Sequence, residues 1–332
     1  YEISRGLVGS EMCIRDRLLG GALFLLRLQT AGEDSAAVFS AGWSGLLSAS
    51  LIGLALIGGM LLAARDEMVR ADVRLLRGLS VVLLAGLVLI NLAVLFVLPW
   101  QTASAVWAAS GLLIIWLSLY LQQRLSFVFG LLLQVIGGAA FLLAGPEWLG
   151  PLSSEGLKPL AHGGFWTPLV LGLAALIGAW RLQLGNHASA FDALSLQRLS
   201  QVLLVWGAGW WTLAWVSEIL RFASPNLQGT LLLLVAAISV ALWTLLSLRL
   251  KWPALGLLCT LLIPAATLVL LGSWHSRYHP AADFGWLAWP ALFAVHFFSL
   301  RRLASVLPAR ALSAAHVFGC WLLILSLIHI SE

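Results

Sequence analysis

Between residues 43 and 299 the chain is a succession of apolar runs, each long enough to cross a bilayer as a helix and nearly free of charge. Nine are complete, at 43–63, 79–98, 102–121, 127–145, 165–180, 201–220, 229–248, 254–272 and 285–299, and two more are cut short, at 18–28 and 313–325. A hydrocarbon core about 30 Å thick asks for roughly 20 residues of helix. In lipid a backbone can satisfy its own N–H and C=O groups only as a helix or a closed barrel. The predicted fold is therefore all-α, a polytopic transmembrane helix bundle. Composition excludes the soluble alternative: 61% of residues are hydrophobic and 10% charged, against about 45–50% and about 25% in a water-soluble domain. Glycines and prolines inside the runs (Gly137, Gly138, Pro168, Pro264, Pro290) are tolerated where neighbouring helices satisfy the freed backbone.

Many of the 17 tryptophans lie near run ends, as in "LPWQ", "PEWLG" and "GSWH", where an amphipathic ring meets the headgroups. Assigning the connections to alternate sides gives twelve Arg and Lys on one side and four (Arg27, Lys158, Arg221, Arg277) on the other. The excess marks the cytoplasmic side. Connection 64–78 is then cytoplasmic, and 146–164 and 273–284 face outward. The net charge of +5 is scattered among short loops, which gives no footprint for nucleic acid. Cys259 and Cys320 sit inside apolar runs and imply no disulfide framework.

The first 17 residues, "YEISRGLVGSEMCIRDR", are polar and lack the apolar core of a secretory leader. They resemble translated adapter read-through, as does "SLIHISE" at the far end, so 1–17 and 326–332 are read as non-native and 18–325 as the membrane region. Within it the chain repeats about every four helices. "LLRGLSVVLLAG" from Leu75 matches "LQRLSQVLLVWG" from Leu196, and "GLALIGGMLLAAR" after Ile52 matches "GLAALIGAWRL" after Leu171. The expected units are parallel repeats of about 120 residues, at 43–145, 165–272 and, in part, 285–325, an arrangement found in some transporter folds.

Polar groups are few enough to weigh singly. His275 and His279 stand four apart in "HSRYH", with Asp283 four further on, and imidazoles with a carboxylate are a zinc-binding donor set. Pro280 follows at once in a loop with little helical pattern. Polar decoration of the membrane surface is therefore preferred and no metal is assigned. Lys158 and His162, with Gly163 and Gly164 behind them, could hold an anionic headgroup, or simply form a loop before the next helix. Glu218 and Arg221 lie at i and i+3, spaced to pair on one helix face near its outer end; charges in a span are also candidates for substrate binding, and pairing is the preferred reading. Asn91, Gln134, His296 and His316 are lone polar groups inside runs, and interhelical hydrogen bonds are their expected role. No phosphate-binding glycine loop, GxSxG elbow, HExxH or CxxC occurs, so no cofactor is implied.

Three longer stretches, "LYLQQRLSFVFGLLLQVIGGAAFLLAG", "AHGGFWTPLVLGLAALIGAWRL" and "GWLAWPALFAVHFFSLRRL", together resemble a family of large bacterial membrane proteins catalogued as domain of unknown function 2339. That resemblance implies a many-spanning inner-membrane protein longer than this chain, and supplies no catalytic residues. The residues leave three functional readings. The first is transport or flipping of a hydrophobic or glycan-type envelope molecule. The second is an enzyme acting at the outer face on a lipid-linked substrate through His162, His275, His279 or Asp283. The third is a structural or assembly role within the envelope. In each the constant partner is the lipid bilayer.

Overall fold

The computed structural model describes residues 42–63, 73–98, 100–121, 123–143, 157–184, 196–273 and 282–331. Every regular element among them is helical. Helices α1 (Gly42–Ala63), α2 (Val73–Ala93), α3 (Trp100–Leu121) and α4 (Arg124–Leu143) belong to a first compact unit. Helices α5 (Gly163–Gln183), α6 (Leu196–Phe222), α7 (Pro225–Arg249), α8 (Pro253–Leu258), α9 (Leu262–Ser273), α10 (Gly285–Leu303) and α11 (Ala309–Ser331) belong to a second. The leader 1–17 and the short run 18–28 lie outside the described residues, and α11 continues as one helix through 326–331.

Among the described residues, eight helical stretches are long and apolar enough to cross a membrane, with α8 and α9 counted together as Pro253–Gly272. They coincide with the first eight complete runs. The ninth run forms α10, a helix of 19 residues whose last turn carries Arg301 and Arg302. Large side chains point outward along the spans: Leu51, Leu113, Val202, Ile238 and Leu268 are each 63–70% exposed. A helix apolar all round is buried or lipid-facing, and these outward leucines, valines and isoleucines belong to the second case.

Within the first unit α1 packs on α2 and α3 on α4; within the second α5 packs on α6 and α7 on α10. Three of these pairs share one device. A Cβ built on Gly53 would stand 2.8 Å from the carbonyl of Gly86, and one on Gly86 would stand 2.8 Å from the carbonyl of Gly53. Gly111 with Gly130 repeats this at 2.7 and 2.9 Å, and Gly172 with Gly207 at 3.0 and 2.9 Å. The residue four positions after each glycine then sits over its partner, as Ile57 does over Gly86 and Leu176 over Gly207. That reciprocal pattern makes each pair antiparallel. Close approach of backbones through small residues is how helices associate in a medium that offers no hydrophobic drive.

The α8–α9 span is interrupted. Residues Cys259–Leu261 form a 3-10 turn just before Pro264. Proline lacks the N–H that would bond four residues back, and its ring crowds that carbonyl, so the helix tightens there instead of running through.

Candidate functional site

The second unit holds two features with chemical content. The first is a polar knot where α5 starts and α6 ends. Residues 157–162 turn sharply: Ala161 N–H donates to the Lys158 carbonyl at 3.1 Å, and Leu160 takes a left-handed φ of 59°. Non-glycine residues in that region carry strain. The Glu218 carboxylate fixes the turn from α6. Its Oε1 accepts the Leu160 N–H at 2.6 Å, and its Oε2 lies 2.8 Å from His162 Nε2. Both side chains are buried, at 7% and 8% exposure. The imidazole lies 5.6 Å from the Phe222 ring, and the His162 carbonyl accepts the N–H groups of Phe165 and Trp166 to start α5.

The structure thus joins two candidates that the sequence places apart. Glu218 meets His162 across 56 residues, and the described partners of its carboxylate come from the loop. Arg221 is close by: its Nη2 would stand 3.7 Å from a Cβ on Gly164, and His162 Nδ1 would stand 3.0 Å away. Lys158 is exposed. Asp283 belongs to a different turn, where it and Phe284 both adopt left-handed φ, 45° and 66°, and its carbonyl accepts from Thr230 Oγ1 at 2.9 Å. His275 and His279 lie outside the described residues. Among the described residues, no three His, Cys, Asp or Glu side chains come together as metal donors.

The lone polar groups divide. Asn91 accepts from Ser110 Oγ on the neighbouring helix at 2.5 Å, and His296 Nε2 reaches the Ala315 carbonyl at 3.2 Å. His316 stacks on Phe297. The Gln134 amide, 1% exposed, has no hydrogen-bond partner for either its nitrogen or its oxygen.

The second feature is a crevice of about 620 Å³ between α6, α7 and the broken α8–α9 span. Its aromatic wall is Trp211, Trp215 and Trp243; the opposite wall includes Leu258, Leu262 and Pro264. Trp211 stands 6.2 Å from Trp215 and 6.5 Å from Trp243. Trp211 Nε1–H donates to Ser239 Oγ at 3.1 Å, which ties α6 to α7 across the crevice wall. Trp215 also packs edge-on against Phe165 at 5.2 Å, so the aromatic wall continues to the helix that the polar knot starts. Sequence reasoning missed this site. Reading tryptophan as an interfacial residue passes over "WGAGWWTLAW", whose rings fall in the middle of α6.

These helices and this crevice define a multi-pass α-helical membrane protein with an apolar cavity among its spans. Comparison with protein-family models, with curated proteins and with solved structures gave no match.

Proposed function

We propose that the protein binds a hydrophobic or lipid-linked molecule of the bacterial inner membrane and carries it between leaflets, with the polar knot facing outward. Membership of the family of unknown function that the sequence resembles, and the parallel repeat, are part of this proposal. One observation carries it: the crevice lies at the midpoint of its helices. Its lining runs through residues 205–216 of α6 and 232–243 of α7, at the depth where a molecule in transit must pass. A discontinuous helix at a midplane site is a recurrent feature of transporters, and α8–α9 supplies one. Two further facts support the repeat. Gly172 follows Gly53 by 119 residues and Gly207 follows Gly86 by 121, and the two pairs make the same reciprocal contact.

The test is a translocation assay. The chain is reconstituted into liposomes carrying a fluorescent lipid in both leaflets, and the fraction quenched by an added reductant is followed. Quenching beyond the outer-leaflet half that depends on the protein supports the reading. Quenching that stops at half, with protein shown to be inserted, overturns it.

The enzyme reading keeps one observation in its favour, the imidazole–carboxylate pair of His162 and Glu218. Both oxygens of that carboxylate are engaged with the loop and both side chains are buried, which suits anchoring better than proton transfer to a substrate.

A further inference from the structure

Building on that reading, we infer that the crevice seats a single hydrocarbon chain, acyl or isoprenoid, taken sideways from the bilayer, while the polar head of the same molecule stays outside it. Depth is the first argument. The lining of α6 covers residues 205–216, about 17 Å at 1.5 Å per residue, and this length straddles the middle of a core about 30 Å thick. At that depth the surrounding medium is chain ends.

Chemistry is the second. The lining hydroxyls are those of Thr212 and Ser239. Thr212 donates to the Ala208 carbonyl at 2.8 Å, and Ser239 accepts the Trp211 N–H. Beyond these the lining offers indole N–H groups, that of Trp215 without a hydrogen-bond partner, and no charged side chain. Such donors leave most oxygens of a sugar or a phosphate unpaired, and that burial is costly. Water is no better an occupant, since a buried water needs two to four polar partners. A void of about 620 Å³ left empty would forfeit dispersion contacts along both walls. A flexible chain of CH₂ or isoprene units recovers them. The volume also falls within the range of small-molecule sites, about 300–1,000 Å³.

Access is the third. A Cβ on Gly209 would have no atom within 4 Å, and Val205, Leu261 and Leu268 at the rim are 64%, 54% and 70% exposed. The mouth therefore opens to the side of the helices rather than along their axes.

The experiment places the full chain in bilayers of phosphatidylethanolamine and phosphatidylglycerol, doped with a phospholipid bearing a diazirine at the end of one acyl chain. After irradiation, the labelled peptides are mapped by mass spectrometry. Labelling concentrated in 205–216, 232–243 and 258–268 is expected. Gly209→Phe fills the crevice and should lower it about tenfold, equivalent to about 1.4 kcal/mol of binding. Gly58→Phe, at another open position on α1, should leave it unchanged. If Gly209→Phe fails to insert, Ala236→Leu fills the same space from α7. Labelling spread evenly over the lipid-facing helices and indifferent to these fillings overturns the inference. So does disulfide trapping of Gly209→Cys by a cysteine placed in residues 42–143 or in a second copy, because protein would then occupy the crevice. Crevice labelling without lipid movement sinks the transport reading alone. Movement with even labelling sinks this one alone.

Discussion

Glu218 Oε2 lies 2.8 Å from Nε2 of His162 while Glu218 Oε1 accepts the N–H of Leu160 at 2.6 Å. One buried carboxylate therefore holds a turn of strained backbone against the end of α6. Removing a partner from a buried hydrogen bond costs about 1–3 kcal/mol, so Glu218→Ala should destabilise by that amount in mixed-micelle unfolding. Glu218→Gln keeps an acceptor for Leu160 and should cost less. Hydrogen exchange at the Leu160 amide separates the two: it should rise steeply in the alanine variant and modestly in the glutamine variant. Equal exchange in all three proteins would refute the anchoring role.

The glycine pairs predict opposite outcomes at neighbouring positions of one helix. A Cβ on Gly207 would stand 2.9 Å from both the Gly172 carbonyl oxygen and the Leu176 nitrogen, backbone atoms that cannot step aside. Gly207→Ala should then cost about 1–3 kcal/mol, the usual penalty of overpacking. At Gly209 a Cβ meets nothing within 4 Å, and Gly209→Ala should be neutral or stabilise by up to about 1 kcal/mol through helix propensity. Thermal aggregation in detergent ranks the two variants, and an equal effect would mean that α5 and α6 do not touch through these glycines.

Much of this architecture is legible in the order of the residues, and the reason is physical. In lipid an apolar run of about 20 residues satisfies its backbone as a helix, so run length alone locates α1 to α7 and α10. What the runs do not encode is which helices touch. Gly86 and Gly207 end the two matched stretches "LLRGLSVVLLAG" and "LQRLSQVLLVWG", but their contact role shows only when a partner backbone lies against them. The site is half legible for the same reason. Glu218 and His162 each stand out as costly polar groups near a membrane surface, yet spacing along a helix pairs Glu218 with Arg221 and says nothing of a loop 56 residues away. The crevice leaves almost no trace, because its tryptophans look in sequence like any other apolar residue of a span.

Gln134 offers a stabilising substitution. Its amide is 1% exposed with neither polar atom hydrogen-bonded, and leaving such groups unpaired costs about 1–3 kcal/mol. Gln134→Met keeps the length of the side chain and removes both polar atoms, so it should raise the unfolding midpoint by a corresponding amount. A lower midpoint would show that the amide makes a bond in the membrane-embedded protein.

The last prediction concerns the wall of the crevice. Trp211 Nε1–H and Ser239 Oγ, 3.1 Å apart, form one of the few polar links across an apolar surface. The two sides of such a bond are not equivalent when cut. Ser239→Ala leaves the indole N–H facing hydrocarbon with no acceptor, and should cost about 1–3 kcal/mol. Trp211→Phe removes the donor but leaves a hydroxyl, which can turn its own hydrogen toward a carbonyl of its helix, and should cost less from this bond. Once the N–H is gone, Ser239→Ala should add little. A double-mutant cycle on unfolding stability should accordingly return a coupling of about 0.5–3 kcal/mol. Additive losses would mean that the indole points elsewhere and that α6 and α7 are held together at the crevice by ring packing alone.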